Sequence, residues 1–183
     1  MEVHDLMQKK KANVSKSSRQ STELAVVIET PKGSRNKLKY DLASGMFKLS
    51  KVMPEGMVFP YDFGYVPSTK AADGDPLDVL VLTDEGLFPG CSVDCRLIGA
   101  IEAEQQEDGE KYRNDRLIAV ATQSLLYSET HDIDEISPVV LQQIKDFFVN
   151  YQRVRRVEVR ILGHYGAERA VEILRRAAKQ QVA

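Results

Sequence analysis

Long apolar runs are missing from this chain. Nowhere in its 183 residues is there a stretch of about 18 apolar residues, so no transmembrane helix is expected. The N-terminal segment lacks the apolar core of a secretory signal peptide, which makes the cytoplasm the expected compartment. Tryptophan is absent and aromatics make up only 7%. No strand interleaves aromatics with Arg or Lys as a single-strand nucleic-acid platform does, so no nucleic-acid partner is expected. Cysteine is limited to Cys91 and Cys95. Alternation puts both on one face of a strand, about 13 Å apart, too far for a bridge within that strand. Two buried structural thiols are expected. The three histidines, His4, His131 and His164, lie too far apart for a zinc motif. No internal repeat is present. A large net charge is lacking too: 25 Lys+Arg stand against 27 Asp+Glu, for a formal charge of −2.

That balance is local cancellation. Residues 1–20 hold Lys9, Lys10, Lys11, Lys16 and Arg19 against Glu2 and Asp5, and their polar composition reads as a flexible basic arm. Residues 32–51 hold Lys32, Arg35, Lys37, Lys39, Lys48 and Lys51 against Asp41 alone. Residues 71–95 hold Asp73, Asp75, Asp78, Asp84, Glu85 and Asp94 with no basic residue. A basic and an acidic block in one small domain suit a polyanion and its metal ions held between them.

From residue 24 the chain reads as short strands. Leu24–Glu29 is an apolar run ending in an acid. Asn36–Leu42 alternates, with Leu38, Tyr40 and Leu42 on one side and Lys37, Lys39 and Asp41 on the other. Gly45–Met53 completes a hairpin. Asp78–Leu82 is apolar after its first residue, as a strand buried on both faces would be. Ser92–Ile101 and Arg116–Ala121 read as strands joined by an acidic, Gln-rich loop. Helices come late. Ser137-Pro138 is an N-cap with Pro at the first helical position, followed by helical spacing from Val140 to Tyr151. Val157, Val159 and Ile161 alternate as a strand, and Ala167 to Ala178 marks a C-terminal helix. This order predicts an α+β fold: a small closed β-barrel flanked by two C-terminal helices, spanning residues 21–183 after the arm 1–20.

The most informative segment is Asp73-Gly74-Asp75-Pro76-Leu77-Asp78. Three carboxylates in six residues repel one another, and without a cation at least one tends to stay protonated. Gly74 and Pro76 let the backbone bend sharply, and Asp78 opens a buried strand. The pattern suits a hard divalent ion such as Mg²⁺. It is not a calcium EF-hand loop, whose fifth position is an oxygen ligand and sixth a glycine; here those positions are Leu77 and Asp78.

With its Asp-x-Asp-Pro-hydrophobic-Asp-hydrophobic pattern, Asp73–Val79 resembles the signature of the soluble type I inorganic pyrophosphatases. Val26-Val27-Ile28-Glu29-Thr30-Pro31, Lys39-Tyr40-Asp41, Phe59 to Tyr65, Leu117 to Val120 and Phe147 to Tyr151 resemble family segments in the same order. The resemblance spans roughly Val26 to Leu174. It implies a barrel of the oligonucleotide-binding type, several Mg²⁺ ions (Mn²⁺ or Zn²⁺ as substitutes), a homo-oligomer and hydrolysis of pyrophosphate to two phosphates. A second reading is hydrolysis of another phosphoanhydride such as polyphosphate. A third is a non-catalytic relative that keeps metal or phosphate affinity.

The resemblance further implies metal ligands at Asp73, Asp75 and Asp78, with Asp75 also orienting or deprotonating the attacking water. Glu29 is expected in an outer shell, and Lys39, Lys51 and Arg116 on phosphate. Tyr151 is expected to donate its hydroxyl to the distal phosphate. The loop acids align poorly: Glu107 or Asp108 supplies the first ligand there, with Asp108 favoured. The next family Asp falls on Asn114, unless Asp115 shifts into its place. Other departures are Lys51 for an Arg, which loses the bidentate fork, Phe59 and Phe63 for tyrosines, and Gln152 for a Lys. Arg153 or Arg155 is a candidate replacement for that last charge. The intact Asp triplet implies a divergent but working enzyme.

Overall fold

The computed structural model describes residues 22–153 and 157–182. The basic arm and Arg155 fall outside the described residues. Among these residues nine strands, one short 3-10 turn (Ile133–Glu135) and two α-helices follow one another: β1 Glu23–Thr30, β2 Asn36–Asp41, β3 Met46–Val52, β4 Asp62–Tyr65, β5 Asp78–Leu82, β6 Ser92–Glu107, β7 Glu110–Arg113, β8 Arg116–Ala121, α1 Pro138–Arg153, β9 Glu158–Gly166 and α2 Ala167–Val182.

The main sheet runs β1-β4-β5-β8-β6, and β1 also pairs with β6. That second pairing closes the ring, giving the expected small barrel with no open edge among these five strands. β6 makes closure possible by its length. Its first residues pair with β1 from Glu23↔Arg96 to Val27↔Ser92, its middle with β8, and its far end with β7 and β9. Where β1 crosses β4 the backbones nearly touch: a Cβ on Gly64 would lie 2.0 Å from the Val27 carbonyl oxygen. Only glycine fits there.

Both faces of the central strands are buried, as the unbroken apolar run of β5 predicts. Val79 and Val81 pack with Leu97, Leu117 and Ala119 against Ala170, Val171 and Ile173 of α2. Leu80 and Leu82 pack with Ile98, Ile118 and Val120 against Leu141, Ile144 and Phe148 of α1. β2 and β3 form a separate two-stranded sheet. It is tied to the barrel by Thr30, whose hydroxyl donates to the Leu38 carbonyl and accepts from the Leu38 N–H, both at 3.0 Å.

Three expectations change. The stretch 102–115 is not a loop: β6 continues to Glu107 and turns at Asp108-Gly109 into β7. Its charged residues masked an alternation that puts alternate side chains on opposite faces. β4 is only four residues long and contains Gly64, which hides it from a propensity reading. Cys95 is buried, and burial pushes its thiol up to about 12, but Cys91 is half-buried just before β6; both are free thiols.

Candidate active site

Several strand ends meet at one rim of the barrel. β5 and β8 run parallel with Val79 beside Leu117, so Asp78 and Arg116, one residue earlier on each, are cross-strand neighbours. β4 brings Tyr65 beside Asp78. The β2–β3 hairpin forms one side of the resulting cavity and α1 another; its volume is about 850 Å³. Glu29, Lys39, Lys51, Asp73, Asp75, Asp78, Arg116 and Tyr151, all expected in the site, line it together.

The triplet loop is built locally. Gly74 adopts φ +87°, and the Asp73 carboxylate accepts the Asp75 N–H at 3.1 Å. At its base the Thr69 hydroxyl donates to the Val66 carbonyl at 2.6 Å and accepts the Leu77 N–H at 2.9 Å. Burial raises the Asp73 carboxyl, and the nearby Asp78 and Asp75 charges add to the shift. Asp75 meets the Lys39 ammonium at 2.5 Å. Burial works against the Lys39 charge, but the bond to Asp75 and the fields of Asp75, Glu29 and Asp78 hold it above the usual lysine range. Glu29 is buried. Burial raises its carboxyl despite the Tyr40 N–H, which it accepts at 2.7 Å.

The cation side is less satisfied. Arg116 is 2% exposed and makes no ion pair among the described residues. Its one hydrogen bond there runs from Nη1 to the Asn114 carbonyl at 2.9 Å, and its guanidinium lies 4.6 Å from the centre of the Phe148 ring. Desolvation pulls its affinity for a proton below the usual arginine level. The Tyr151 hydroxyl is buried with no hydrogen-bond partner among the described residues. Lys37 lies 5.2 Å from the Phe63 and Tyr151 ring centres, and Lys51 lies 5.8 Å from that of Tyr151. An unpaired buried cation and an unpartnered buried hydroxyl are costly, and both are relieved by an anionic ligand with several acceptor oxygens.

Some expected residues are elsewhere. Asp108 sits at the exposed tip of the β6–β7 turn with φ +50° and is not part of the cavity lining. The two-residue link between β7 and β8 turns Asp115 away from the cavity: it accepts the Ala103 N–H at 3.2 Å and holds Arg113 Nη2 at 2.7 Å, while Asn114 and Arg116 line the cavity. Glu107 accepts from the Tyr112 hydroxyl at 3.2 Å and also lies outside the lining. The inward positions are taken by Gln105 and Asn114, whose amides hydrogen-bond to each other. Gln105 and Lys37 were missed as site residues. Lys37 shares the Lys39 face of the alternating strand, a signal already in the sequence. Gln105 was hidden by reading its strand as a loop.

No three His, Cys, Asp or Glu side chains form a ready-made metal cage among the described residues. The donors still fit a hard divalent ion. Mg²⁺ keeps most of its water and takes one or two carboxylates, and a cation here offsets both the burial that chiefly raises Asp73 and the repulsion from Asp78 and Asp75 that adds to it.

The family model "Inorganic pyrophosphatase" matches residues 26–181. An inorganic pyrophosphatase of Methanosarcina acetivorans is 36% identical over 153 residues, covering 84% of this chain and 89% of that protein. A soluble inorganic pyrophosphatase of Oryza sativa is 38% identical over 149 residues, covering 81% of this chain and 68% of that protein. The crystal structure of the Thermus thermophilus inorganic pyrophosphatase superposes with a TM-score of 0.83 at 32% identity, over 90% of this chain and 94% of that one. The chain belongs to the inorganic pyrophosphatase family.

Proposed function

We propose that this member of the family hydrolyses inorganic pyrophosphate to two phosphates. The observation that carries the reading is a triplet of carboxylates in one cavity with a buried arginine and a buried tyrosine hydroxyl that, among the described residues, have no ion-pair and no hydrogen-bond partner respectively. Asp73, Asp75 and Asp78 would hold Mg²⁺, with Mn²⁺ or Zn²⁺ as substitutes. When bound there, the metal would supply Lewis acidity, neutralising phosphate charge and lowering the pKa of water.

The chain's own residues do the rest. Arg116 and Lys51 hold phosphate oxygens, and Tyr151 donates its hydroxyl to one of them. Lys39 exchanges its bond to Asp75 for a bond to substrate. Both partners of that pair are about half exposed, with side-chain exposures of 43% and 54%, so giving it up costs only about 0–1 kcal/mol. Asp75, released, accepts the proton of the attacking water, and Glu29 orients the water network beside it.

We also place the protein in the cytoplasm as a homo-oligomer. Two free thiols suit a reducing compartment. The exposed Leu42, Met46, Leu49 and Val52 on the β2–β3 hairpin suit an assembly that covers them. No helix among the described residues is long and apolar enough to cross a membrane.

The test is phosphate release from pyrophosphate with Mg²⁺, Mn²⁺ or Zn²⁺. Asp75→Asn should lower kcat about 10²- to 10⁴-fold, the range of a lost general base. Wild-type protein that releases no phosphate with any of these metals between about pH 6 and 9 ends the reading. Tripolyphosphate in the same assay separates this substrate from longer phosphoanhydrides.

A further inference from the structure

The cavity is chemically lopsided. Its carboxylates Asp73, Asp75 and Asp78 come from the loop before β5 and the start of that strand. Arg116 stands on the next strand, β8, and Gln105 lies beyond it on β6. Asn114, two residues before Arg116, faces the same way and bonds Gln105 through its amide. The acids nearest in sequence are turned away or held outside: Asp115 with Arg113, Glu107 with Tyr112, and Asp108 at the turn tip.

A hard divalent ion is held by anionic oxygen, and a neutral amide oxygen is a weak substitute that brings no charge. Beside Arg116 it is weaker still, because the guanidinium repels a cation and only a carboxylate offsets it. We propose that the Gln105–Asn114 amide pair limits the resting site to a single divalent ion, seated on the Asp73–Asp78 side, and leaves the β6–β8 side to bind phosphate directly. This rests on the metal-dependent reading above and deepens it. The amide pair then sets how much of the polyanion's charge is met by metal and how much by Arg116, Lys37 and Lys51. One hydrogen bond joins the pair: the Asn114 amide donates and the Gln105 carbonyl accepts. Replacing Asn114 with Asp removes that donor. Rotation of the Gln105 amide then offers its own N–H to the new carboxylate, so the fold has a way to accommodate the change.

The experiment counts Mn²⁺ bound to the full-length protein without substrate, by electron paramagnetic resonance titration and calorimetry. Wild type is expected to take one ion per chain, and Asp78→Asn to weaken it at least tenfold. Asn114→Asp and, separately, Gln105→Glu are each expected to add a second ion. Melting curves verify that each variant is folded, and the second variant keeps the test alive if the first is not. Two or more ions on wild type overturn the limit imposed by the amides while leaving the metal-dependent reading intact. So does a stoichiometry that stays at one in both acid variants. No Mn²⁺ on wild type overturns both readings together.

Discussion

Arg113 ends β7 and Arg116 begins β8; they are three residues apart and face opposite ways, and the two sides of the sheet there obey different rules. On the outer side charge is matched. Arg113 meets Glu102 at 2.5 Å and Asp115 at 2.7 Å, and Arg169 from α2 meets the other oxygen of Glu102 at 2.6 Å. Burial works against the Glu102 charge, yet the two arginines hold its carboxyl below the ordinary range. On the inner side Arg116 is more deeply buried, and among the described residues it directly contacts a carbonyl and an aromatic ring and makes no ion pair. Matched charges pin strands and helix together. Unmatched ones, kept buried at a cost, mark where a ligand completes the structure.

Breaking each side should therefore show opposite signatures. For Arg116→Met the largest effect is on activity. Charge-assisted bonds to a phosphate are worth about 1.5–3 kcal/mol apiece, so losing a bidentate contact lowers kcat/KM roughly 10²- to 10⁴-fold. The ligand-free protein should melt no lower than wild type, because a buried unpaired charge has gone. A sharp loss of stability with activity retained would reverse the assignment of the inner face. For Glu102→Gln the order inverts. Urea denaturation should show a loss of about 1–3 kcal/mol from the weakened buried bonds, with kcat changed by less than about threefold.

Much of this was legible in the sequence. Alternation in β2, the apolar run of β5 and the Ser-Pro start of α1 each report a local cause, and the structure follows them. The Asp triplet was legible because three like charges around Gly74 and Pro76 have little use as a plain turn. What was not legible depended on register. Whether Asn114 or Asp115 faces the cavity is a matter of one residue, and a one-residue slip exchanges the two faces of a strand. That question is settled by pairing with β6 and by the Arg113–Glu102 contact, both non-local. The acidic block of residues 71–95 also proved to have several uses. Asp84 caps a distant turn, accepting from the Ser124 hydroxyl at 2.5 Å and the Leu125 N–H at 2.9 Å, which composition alone does not separate from metal ligation.

A smaller effect tests the anionic end of the inner face through pH. Burial, partly offset by the Tyr40 N–H, holds the Glu29 carboxyl above its ordinary value. Folding thus favours its protonated form. The stability it contributes is full below the ordinary carboxylate range and is lost as pH rises through its raised value. Glu29→Gln keeps an acceptor for Tyr40 and carries no charge. With metals chelated, the variant should melt above wild type at neutral pH, and the difference should close as pH falls below about 4. A difference that widens towards acid would mean that Glu29 is stabilised as an anion, and the contrast with Glu102 would disappear.

The smallest expected effect falls on Asp108, whose neighbourhood in the sequence suggested a metal ligand. In the structure it occupies the left-handed position of an exposed turn, at φ +50°. Asn tolerates that conformation as well as Asp does. Asp108→Asn removes the charge without disturbing the turn, so kcat, the pyrophosphate KM and the number of Mn²⁺ ions bound should all match wild type. Asp78→Asn, the same chemical change at the mouth of β5, should weaken metal binding and slow turnover. The pair isolates position from charge. Equal losses in both variants would mean that the β6–β7 turn folds over the cavity when ligand is bound, so that an acid assigned to solvent faces the metal after all. A silent Asp108 leaves the anionic side of the site to Asp73, Asp75, Asp78 and Glu29, with Arg116 standing between them and two neutral amides.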